Sequence, residues 1–213
     1  MKLTGLMAEV LIDLIRDVYA RRGYVFFDGG KALNLNIIGV RRDTNIPNRF
    51  DDAIVVIFRD ESGCWQFYSY PATTDPGTYW LEHPMNVKGT AIMVPGQYRG
   101  SYKIGKHKGQ YAALVQVGPI RVWRDGNRDN KLDMGGPEEP GLSGINIHRA
   151  SSGHTSSRVE RWSAGCQVLA SPVDFAEMMA HAHKSMATFG PRFTYTLLDG
   201  ADLTDRLWRD NRK

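Results

Sequence analysis

A series of short β-branched and aromatic runs, separated by turn residues, is the feature that most constrains the fold of this 213-residue chain. No helical pattern interrupts the series until late in the chain, so the strands are expected to pair mainly with one another. The pattern predicts a mainly β fold, a sandwich or a barrel with antiparallel pairing. The predicted strands are Val25–Phe27, Leu35–Val40, Ala53–Phe58, Trp65–Pro71, Thr90–Val94, Tyr111–Val117 and Ile120–Trp123, with a hairpin turn at Asp60–Gly63.

An amphipathic helix is predicted at the N-terminus, where apolar residues recur at steps of three and four. Acidic and basic residues share its polar face, which favours packing against the core over lying on a membrane surface, the alternative. These charges also interrupt every apolar run, so we expect no secretory signal and no stable membrane insertion. The apolar stripe consists of Leu3, Leu6, Met7, Val10, Leu11, Leu14 and Val18.

A second helix is predicted late in the chain. Ser171 and Pro172 provide an N-cap and a first-turn proline, and Gly190-Pro191 ends the helix. A strand at Phe193–Leu198 and a charged tail over residues 199–213 complete the chain. The predicted buried face of the helix consists of Phe175, Met178, Met179, Ala182 and Met186.

Length and charge restrict the classes of function. The chain is long enough for one domain with a sizeable core. A net charge of +4 favours an anionic partner, but the basic residues are scattered, so nucleic-acid binding is not expected. Two cysteines exclude a disulfide-stapled scaffold, and Cys64, in a turn with no histidine nearby in sequence, is interpreted as structural.

The second cysteine has the surroundings of a nucleophile. Cys166 follows Gly165, and His148 arrives from a separate segment in which apolar and small residues alternate as on a strand. Neighbouring strands would bring both side chains to the same end of a sheet. A thiol, an imidazole that takes its proton and backbone N–H groups near a glycine are what a cysteine acyl-transfer enzyme needs. The alternative is a small buried cysteine and a structural histidine.

These residues also resemble a known family. Ser163, Gly165 and Cys166, with His148 located 18 residues upstream of the cysteine, resemble the Ser/Thr-His-Gly-Cys box of YkuD-type L,D-transpeptidase catalytic domains. Residues 65–77 resemble the family's strand and following Thr-Gly loop, and residues 94–98 resemble its Pro-x-Gly-x-Tyr element. The resemblance implies an L,D-transpeptidase-type β core over residues 50–198, preceded by a helix-and-strand extension over residues 1–45.

Two positions depart from the family pattern. Ala164 stands where the box has a histidine, which in the family helps to shape the oxyanion site, and Val168 replaces a polar residue. The resemblance assigns to Arg149 the backbone carbonyl that orients the catalytic imidazole, and His154 is the alternative source of the missing imidazole. The candidates for substrate contacts are Tyr98, Trp162, Gln167 and His154, with Tyr102 as a further aromatic candidate; core packing is the alternative for the aromatic residues.

What the resemblance implies is chemistry on bacterial peptidoglycan stem peptides, at the bond between diaminopimelate and D-Ala or at a cross-link. We expect a hydrolase of the phage endolysin kind, made in the cytoplasm and reaching the wall after holin-type release. The alternatives are an L,D-transpeptidase, a toxin that exchanges D-amino acids, and a non-catalytic wall-binding phage protein. The oligomeric state is left open.

A second candidate site is a loop rich in aspartate and asparagine. Its oxygen-bearing side chains occupy positions 1, 3, 5 and 9 of a calcium-loop-like series. Gly136 stands at position 12, where such loops carry a glutamate, and Asp/Asn-rich turns are common without metal. No cofactor is otherwise expected, and calcium is the one candidate. The candidate ligands are Asp125, Asn127, Asp129 and Asp133.

Overall fold

A computed structural model describes residues 1–44 and 46–203. The predicted tail over residues 199–213 therefore lies largely outside the described residues. The described elements, in chain order, are β1 (Lys2–Leu3), α1 (Gly5–Arg22), β2 (Asn36–Arg41), β3 (Asp52–Arg59), β4 (Trp65–Thr73), α2 (Thr78–Glu82), β5 (Thr90–Met93), β6 (Gly96–His107), β7 (Tyr111–Gln116), β8 (Ile120–Asp125), β9 (Glu139–Gly141), β10 (Ile147–Arg149), β11 (Gln167–Leu169), α3 (Pro172–Phe189) and β12 (Arg192–Asp199).

The fold is mainly β, as predicted, and it is organised around one large mixed sheet. Nine strands pair in the order β1-β4-β11-β10-β7-β6-β12-β2-β3, and β3 pairs again with β4. All of these strands except β1 therefore form a closed ring, which leaves few open edges. The pairing is mainly antiparallel, as predicted, and two pairs, β10 with β11 and β12 with β2, are parallel. A separate three-stranded sheet has the order β5-β8-β9.

Two apolar clusters form the interior. Every strand of the ring contributes to the larger one, together with the inner face of α3. The smaller cluster lies between α1 and the other face of β2 and β3. Successive residues of β3 show the division, because Ile54 and Val56 belong to the larger cluster and Val55 and Ile57 to the smaller one. This strand is therefore buried on both faces, which explains its uninterrupted apolar sequence.

Helix α1 packs against the sheet, but not by the whole predicted stripe. Leu6, Met7 and Val10 are exposed. Apolar residues cover more than half of the helix circumference, so their periodicity alone does not define the buried face. Within the described residues, no helix is long and apolar enough to cross a membrane. The buried face consists of Ala8, Ile12, Ile15, Val18 and Tyr19.

The predicted strand at Val25–Phe27 is irregular backbone. Its peptide groups bind side-chain amides instead of a neighbouring strand: the Val25 N–H donates to Gln97 Oε1 at 2.9 Å, and the Phe27 N–H donates to Asn36 Oδ1 at 2.8 Å. The next predicted strand forms as β2 and lies inside the ring between β12 and β3. This part of the N-terminal extension is thus integral to the barrel.

Helix α3 forms as predicted. Ser171 caps its first turn by accepting the Asp174 N–H at 3.3 Å, Pro172 begins it, and Gly190 follows its last residue with a φ of 82°. Phe175, Met178, Met179 and Ala182 are buried against the larger cluster. The helix follows β11 directly and therefore fixes the position of the strand that carries the cysteine turn.

Candidate active site

Cys166 and His148 are brought together by the parallel pairing of β10 and β11. His148 lies opposite Val168 in the register, and Cys166 is two residues before Val168. Because side chains two residues apart share a face of a strand, Cys166 and His148 lie on the same face of neighbouring strands. The Gln167 N–H donates to the Asn146 carbonyl at 2.9 Å and ties the two segments together directly after the cysteine.

The His148 ring is held at one nitrogen and unpartnered at the other. Its Nδ1 lies 2.8 Å from the Arg149 carbonyl oxygen and 3.2 Å from the Tyr111 hydroxyl, which itself donates to the same carbonyl at 3.2 Å. A carbonyl can only accept, so we assign the ring proton to Nδ1. Nε2 is buried and has no hydrogen-bond partner among the described residues. The lone pair of Nε2 is therefore available to accept a proton.

The Cys166 thiol is half-buried. Its Sγ accepts the Asn146 N–H at 3.4 Å and donates to the Gly144 carbonyl at 3.7 Å. Burial raises the pKa of this thiol, although the Asn146 N–H and the charge of Lys108 act in the opposite direction. The thiol and the imidazole are thus both neutral at rest, with no hydrogen bond between Sγ and Nε2, and thiolate formation requires transfer of the thiol proton.

The imidazole ring of His107 stacks on that of His148. The rings of His107 and His148 stack with centroids 3.9 Å apart and planes at 23°. Burial, and then the neighbouring His107, lower the pKa of His148 from 6.5 to about 3. Burial also lowers the pKa of His107. His148 therefore stays neutral throughout the physiological pH range.

Asn146 orients both the second imidazole and the thiol. Its Oδ1 accepts the Gln116 N–H at 2.9 Å, so its Nδ2 is the group that donates to His107 Nδ1 at 3.1 Å. In the neutral His107 ring the proton is consequently on Nε2. Since the Asn146 N–H also donates to Cys166 Sγ, this one residue links His107 to the thiol.

The turn before the cysteine is built by its serine and glycine. Ser163 Oγ donates to the Cys166 carbonyl at 2.7 Å and accepts the Gly165 N–H at 3.1 Å. Gly165 has a φ of +109°, and a Cβ at this position would lie 2.2 Å from the Ala91 carbonyl oxygen. The Gly165 N–H is therefore occupied, whereas the Cys166 N–H has no acceptor among the described residues and is the better oxyanion donor.

The loop over residues 72–77 packs against the turn that precedes Cys166. The Gly77 N–H donates to the Ser163 carbonyl at 2.9 Å, and a Cβ on Gly77 would lie 2.0 Å from the Glu160 carbonyl oxygen. Gln167 is fully buried in the same region, where its Oε1 accepts the Tyr195 hydroxyl at 2.8 Å. The prediction that Gln167 contacts substrate is therefore wrong, because its side-chain amide lies in the protein core.

Among the predicted substrate contacts, only Trp162 lines the cavity beside His148, which has a volume of about 600 Å³. Tyr98 is buried and donates to the Val94 carbonyl at 2.5 Å, and Tyr102 is fully buried. Both rings pack in the core. His154 is exposed and lies 3.1 Å from Ser151 Oγ through its Nδ1, outside the cavity lining.

The missing box histidine is not replaced by another imidazole at its own position. Ala164 lines a separate cavity of about 250 Å³, whose lining contains no histidine among the described residues. The imidazole that approaches the pair instead is His107. It was not predicted, because His107 and Tyr111 reach the site through the pairing of β6 with β7 and of β7 with β10, which no local sequence pattern specifies.

In the calcium candidate loop, aspartate and asparagine side chains accept hydrogen bonds from backbone N–H groups of the same loop. Asp125 Oδ2 accepts the Asp133 N–H at 3.1 Å, Asn127 Oδ1 accepts the Asp129 N–H at 3.2 Å, and Asp129 Oδ1 accepts the Lys131 N–H at 3.0 Å. Within residues 1–44 and 46–203, no group of three or more His, Cys, Asp or Glu side chains could hold a metal ion. Calcium binding at this loop stays a prediction.

A comparison with protein-family models found no match, and comparisons with curated proteins and with solved structures found none either.

Proposed function

We propose that the protein is a cysteine acyl-transfer enzyme in which Cys166 is the nucleophile and His148 the base. The observation that carries the proposal is the state of the His148 ring. Nδ1 is fixed by the Arg149 carbonyl and the Tyr111 hydroxyl, and Nε2 is left without a partner on the face that also carries Cys166. A structural histidine buried to this extent would be expected to use both nitrogens.

The lowered pKa of His148 keeps its imidazole neutral, which leaves Nε2 free to accept a proton, and a pKa of about 3 also makes this ring a weak base. The neutral ring can take the thiol proton at Nε2 as Sγ attacks a carbonyl carbon, and the carbonyl electron pair moves to the oxygen, near the Cys166 N–H. Collapse of the tetrahedral intermediate expels an amine, which takes the proton from His148 and leaves a thioester on Cys166. Water or a second amine then attacks the thioester, with His148 again accepting and returning the proton.

The substrate part of the proposal rests on the motifs. We propose peptidoglycan stem peptides, cleaved at the carbonyl of diaminopimelate, because the cysteine box and the loop of residues 72–77 resemble those of L,D-transpeptidase domains. The contact between Gly77 and Ser163 supports this assignment, since the two sequence elements that carry the resemblance are adjacent in space. In a phage-encoded setting, hydrolysis of this bond would serve lysis of the host cell.

Digestion of purified diaminopimelate-type sacculi tests the proposal. The wild-type protein and the Cys166→Ala, His148→Gln and Cys64→Ala variants are incubated with sacculi, and soluble products are identified by mass spectrometry. We expect loss of D-Ala or of cross-links with the wild type and Cys64→Ala, and none with the other two. Added D-amino acid that appears in the product would identify transpeptidation. An unchanged product pattern with all four proteins would overturn the proposal.

A further inference from the structure

The cavity beside His148 is lined by more cationic than acidic side chains. Lys108, Arg149 and Arg161 line it, and none of the three forms an ion pair among the described residues. By contrast, Arg41, Arg121 and Arg124, elsewhere in the structure, are paired with carboxylates. Converging unpaired cations around a concave surface raise the local concentration of anions.

Two of these cations are held in place by aromatic rings. The Arg149 guanidinium lies 4.1 Å from the centroid of the Tyr111 ring, and the Arg161 guanidinium lies 3.9 Å from the centroid of the Tyr79 ring. The Arg161 backbone is also fixed, because its carbonyl accepts the Trp80 Nε1–H at 3.0 Å. Apart from Arg149 Nη1, which donates to the Ala150 carbonyl at 3.4 Å, the N–H donors of the two guanidinium groups have no partner among the described residues. The restricted motion of a stacked guanidinium reduces the entropy lost when an anion binds.

Among the described residues, one acidic side chain, that of Glu160, lines the cavity, and it hydrogen-bonds to Asn48, which is not part of the lining. Glu160 Oε1 accepts the Asn48 Nδ2–H at 2.9 Å, and the Glu160 N–H donates to Asn48 Oδ1 at 2.5 Å. Asn48 thus holds Glu160 by both its backbone and its side chain. This acid does not form an ion pair with Arg149 or Arg161, and the cavity keeps an excess of positive charge.

We propose that this cavity is a subsite for a carboxylate group of the substrate, bound by Lys108, Arg149 and Arg161. The inference rests on the proposed function for its substrate, because a stem peptide offers two carboxylates near the scissile bond: the terminal carboxylate of D-Ala and the side-chain carboxylate of diaminopimelate. Guanidinium groups suit this task, since they bind carboxylates with paired N–H donors. His148 lines this cavity and Cys166 does not, so the subsite would hold the carboxylate on the His148 side of the pair.

NMR titration tests the subsite without requiring catalysis. The protein is titrated with acetyl-D-alanine, with diacetyl-diaminopimelate and with acetyl-D-alanine amide, and the Nε–H signals of Arg149 and Arg161 and the indole signal of Trp162 are followed. We expect a carboxylate to shift these signals with an affinity about tenfold or more above that of the amide, the difference of one charge-assisted contact. The tighter carboxylate identifies which group of the stem peptide is bound.

Charge-neutralised variants locate the site. Lys108→Gln and Arg161→Gln are expected to weaken carboxylate binding severalfold, whereas Lys106→Gln, two residues away on the same hairpin and outside the cavity lining, is expected to leave it unchanged. Equal affinities for acid and amide, no shift with any probe, or shifts that persist in both variants would overturn the subsite. Carboxylate binding without digestion of sacculi would overturn the proposed reaction and leave the subsite intact.

Discussion

The imidazole of His107 lies face to face with that of His148, with ring centroids 3.9 Å apart. Neither ring has a carboxylate partner among the described residues. Protonation of His148 is opposed by burial and by His107, and protonation of His107 is opposed by burial and by Lys108. The stack thus keeps the proposed base in the form that can accept a proton. It assigns to His107 a positioning role that the cysteine and histidine motifs alone do not indicate.

Replacement of His107 is predicted to raise the pKa of His148. In His107→Ala, water enters the space and the repulsion between His148 and a protonated His107 is lost, so both causes of the low pKa are weakened. In His107→Phe the ring remains and only the repulsion is lost. NMR titration of the His148 ring is therefore expected to show the largest rise in its pKa in His107→Ala and a smaller rise in His107→Phe. His154→Ala is the control. An unchanged titration in His107→Ala would contradict this role.

The reactivity of Cys166 is predicted to require alkaline pH. Burial raises the pKa of its thiol, and the low pKa of His148 leaves no imidazolium to stabilise a thiolate. The rate of alkylation by iodoacetamide at Cys166 should therefore increase up to a higher pH than the rate at the exposed Cys64, which serves as reference within the same chain. Peptide mass spectrometry measures both rates. A plateau of Cys166 reactivity near pH 5 would instead indicate a resting thiolate–imidazolium pair.

Acidification is predicted to destabilise the fold through His148. Its pKa is lowered to about 3 in the folded protein, so between pH 6.5 and that value the unfolded chain binds a proton that the folded protein does not. From pH 6.5 to 4.5 this removes about 2–3 kcal/mol from the free energy of unfolding, at 1.36 kcal/mol for each pH unit. The loss should be absent in His148→Gln.

Urea unfolding of both proteins at the two pH values measures the difference. Burial raises the pKa of Asp52 and Asp75, and these carboxyls contribute with the opposite sign because the folded protein protonates them first on acidification. Both proteins contain them, so the comparison cancels their effect. Parallel pH dependence in wild type and His148→Gln would show that the pKa of His148 is not lowered in the folded protein.

The sequence predicted the parts of the fold that depend on local pattern. The hairpin across Asp60–Gly63 and helix α3 with its serine cap are both local, and both formed as expected. The buried face of α1 was predicted only in part, because apolar residues surround most of the helix and only the sheet selects Ile12 and Ile15. The strand expected at Val25–Phe27 was wrong because Gln97 and Asn36 bind its backbone from distant positions.

For the candidate site, the sequence singled out Cys166 and His148, whose roles as nucleophile and base stay predictions, but not the groups around them. Cys166 and His148 have recognisable neighbours in sequence, and parallel pairing brings them onto one face. His107 and Tyr111 reach the site from a hairpin about 40 residues upstream, through a strand pairing that no local pattern specifies. Gln167 was misassigned because a polar residue next to a nucleophile suggests substrate contact, whereas here it hydrogen-bonds to Tyr195 in the core.

Gly165 is predicted to be the least replaceable residue of the cysteine turn. An alanine would need a φ near +109° and would place its Cβ 2.2 Å from the Ala91 carbonyl oxygen, so the turn must move. We expect Gly165→Ala to lower the free energy of unfolding by about 1–3 kcal/mol and to displace the Cys166 N–H from its oxyanion position. Gly153→Ala is the matched control, since a Cβ there meets no atom within 4 Å. Urea unfolding and Cys166 alkylation rates measure both effects. Wild-type stability and wild-type reactivity in Gly165→Ala would show that the close contact with Ala91 is not needed to hold the nucleophile.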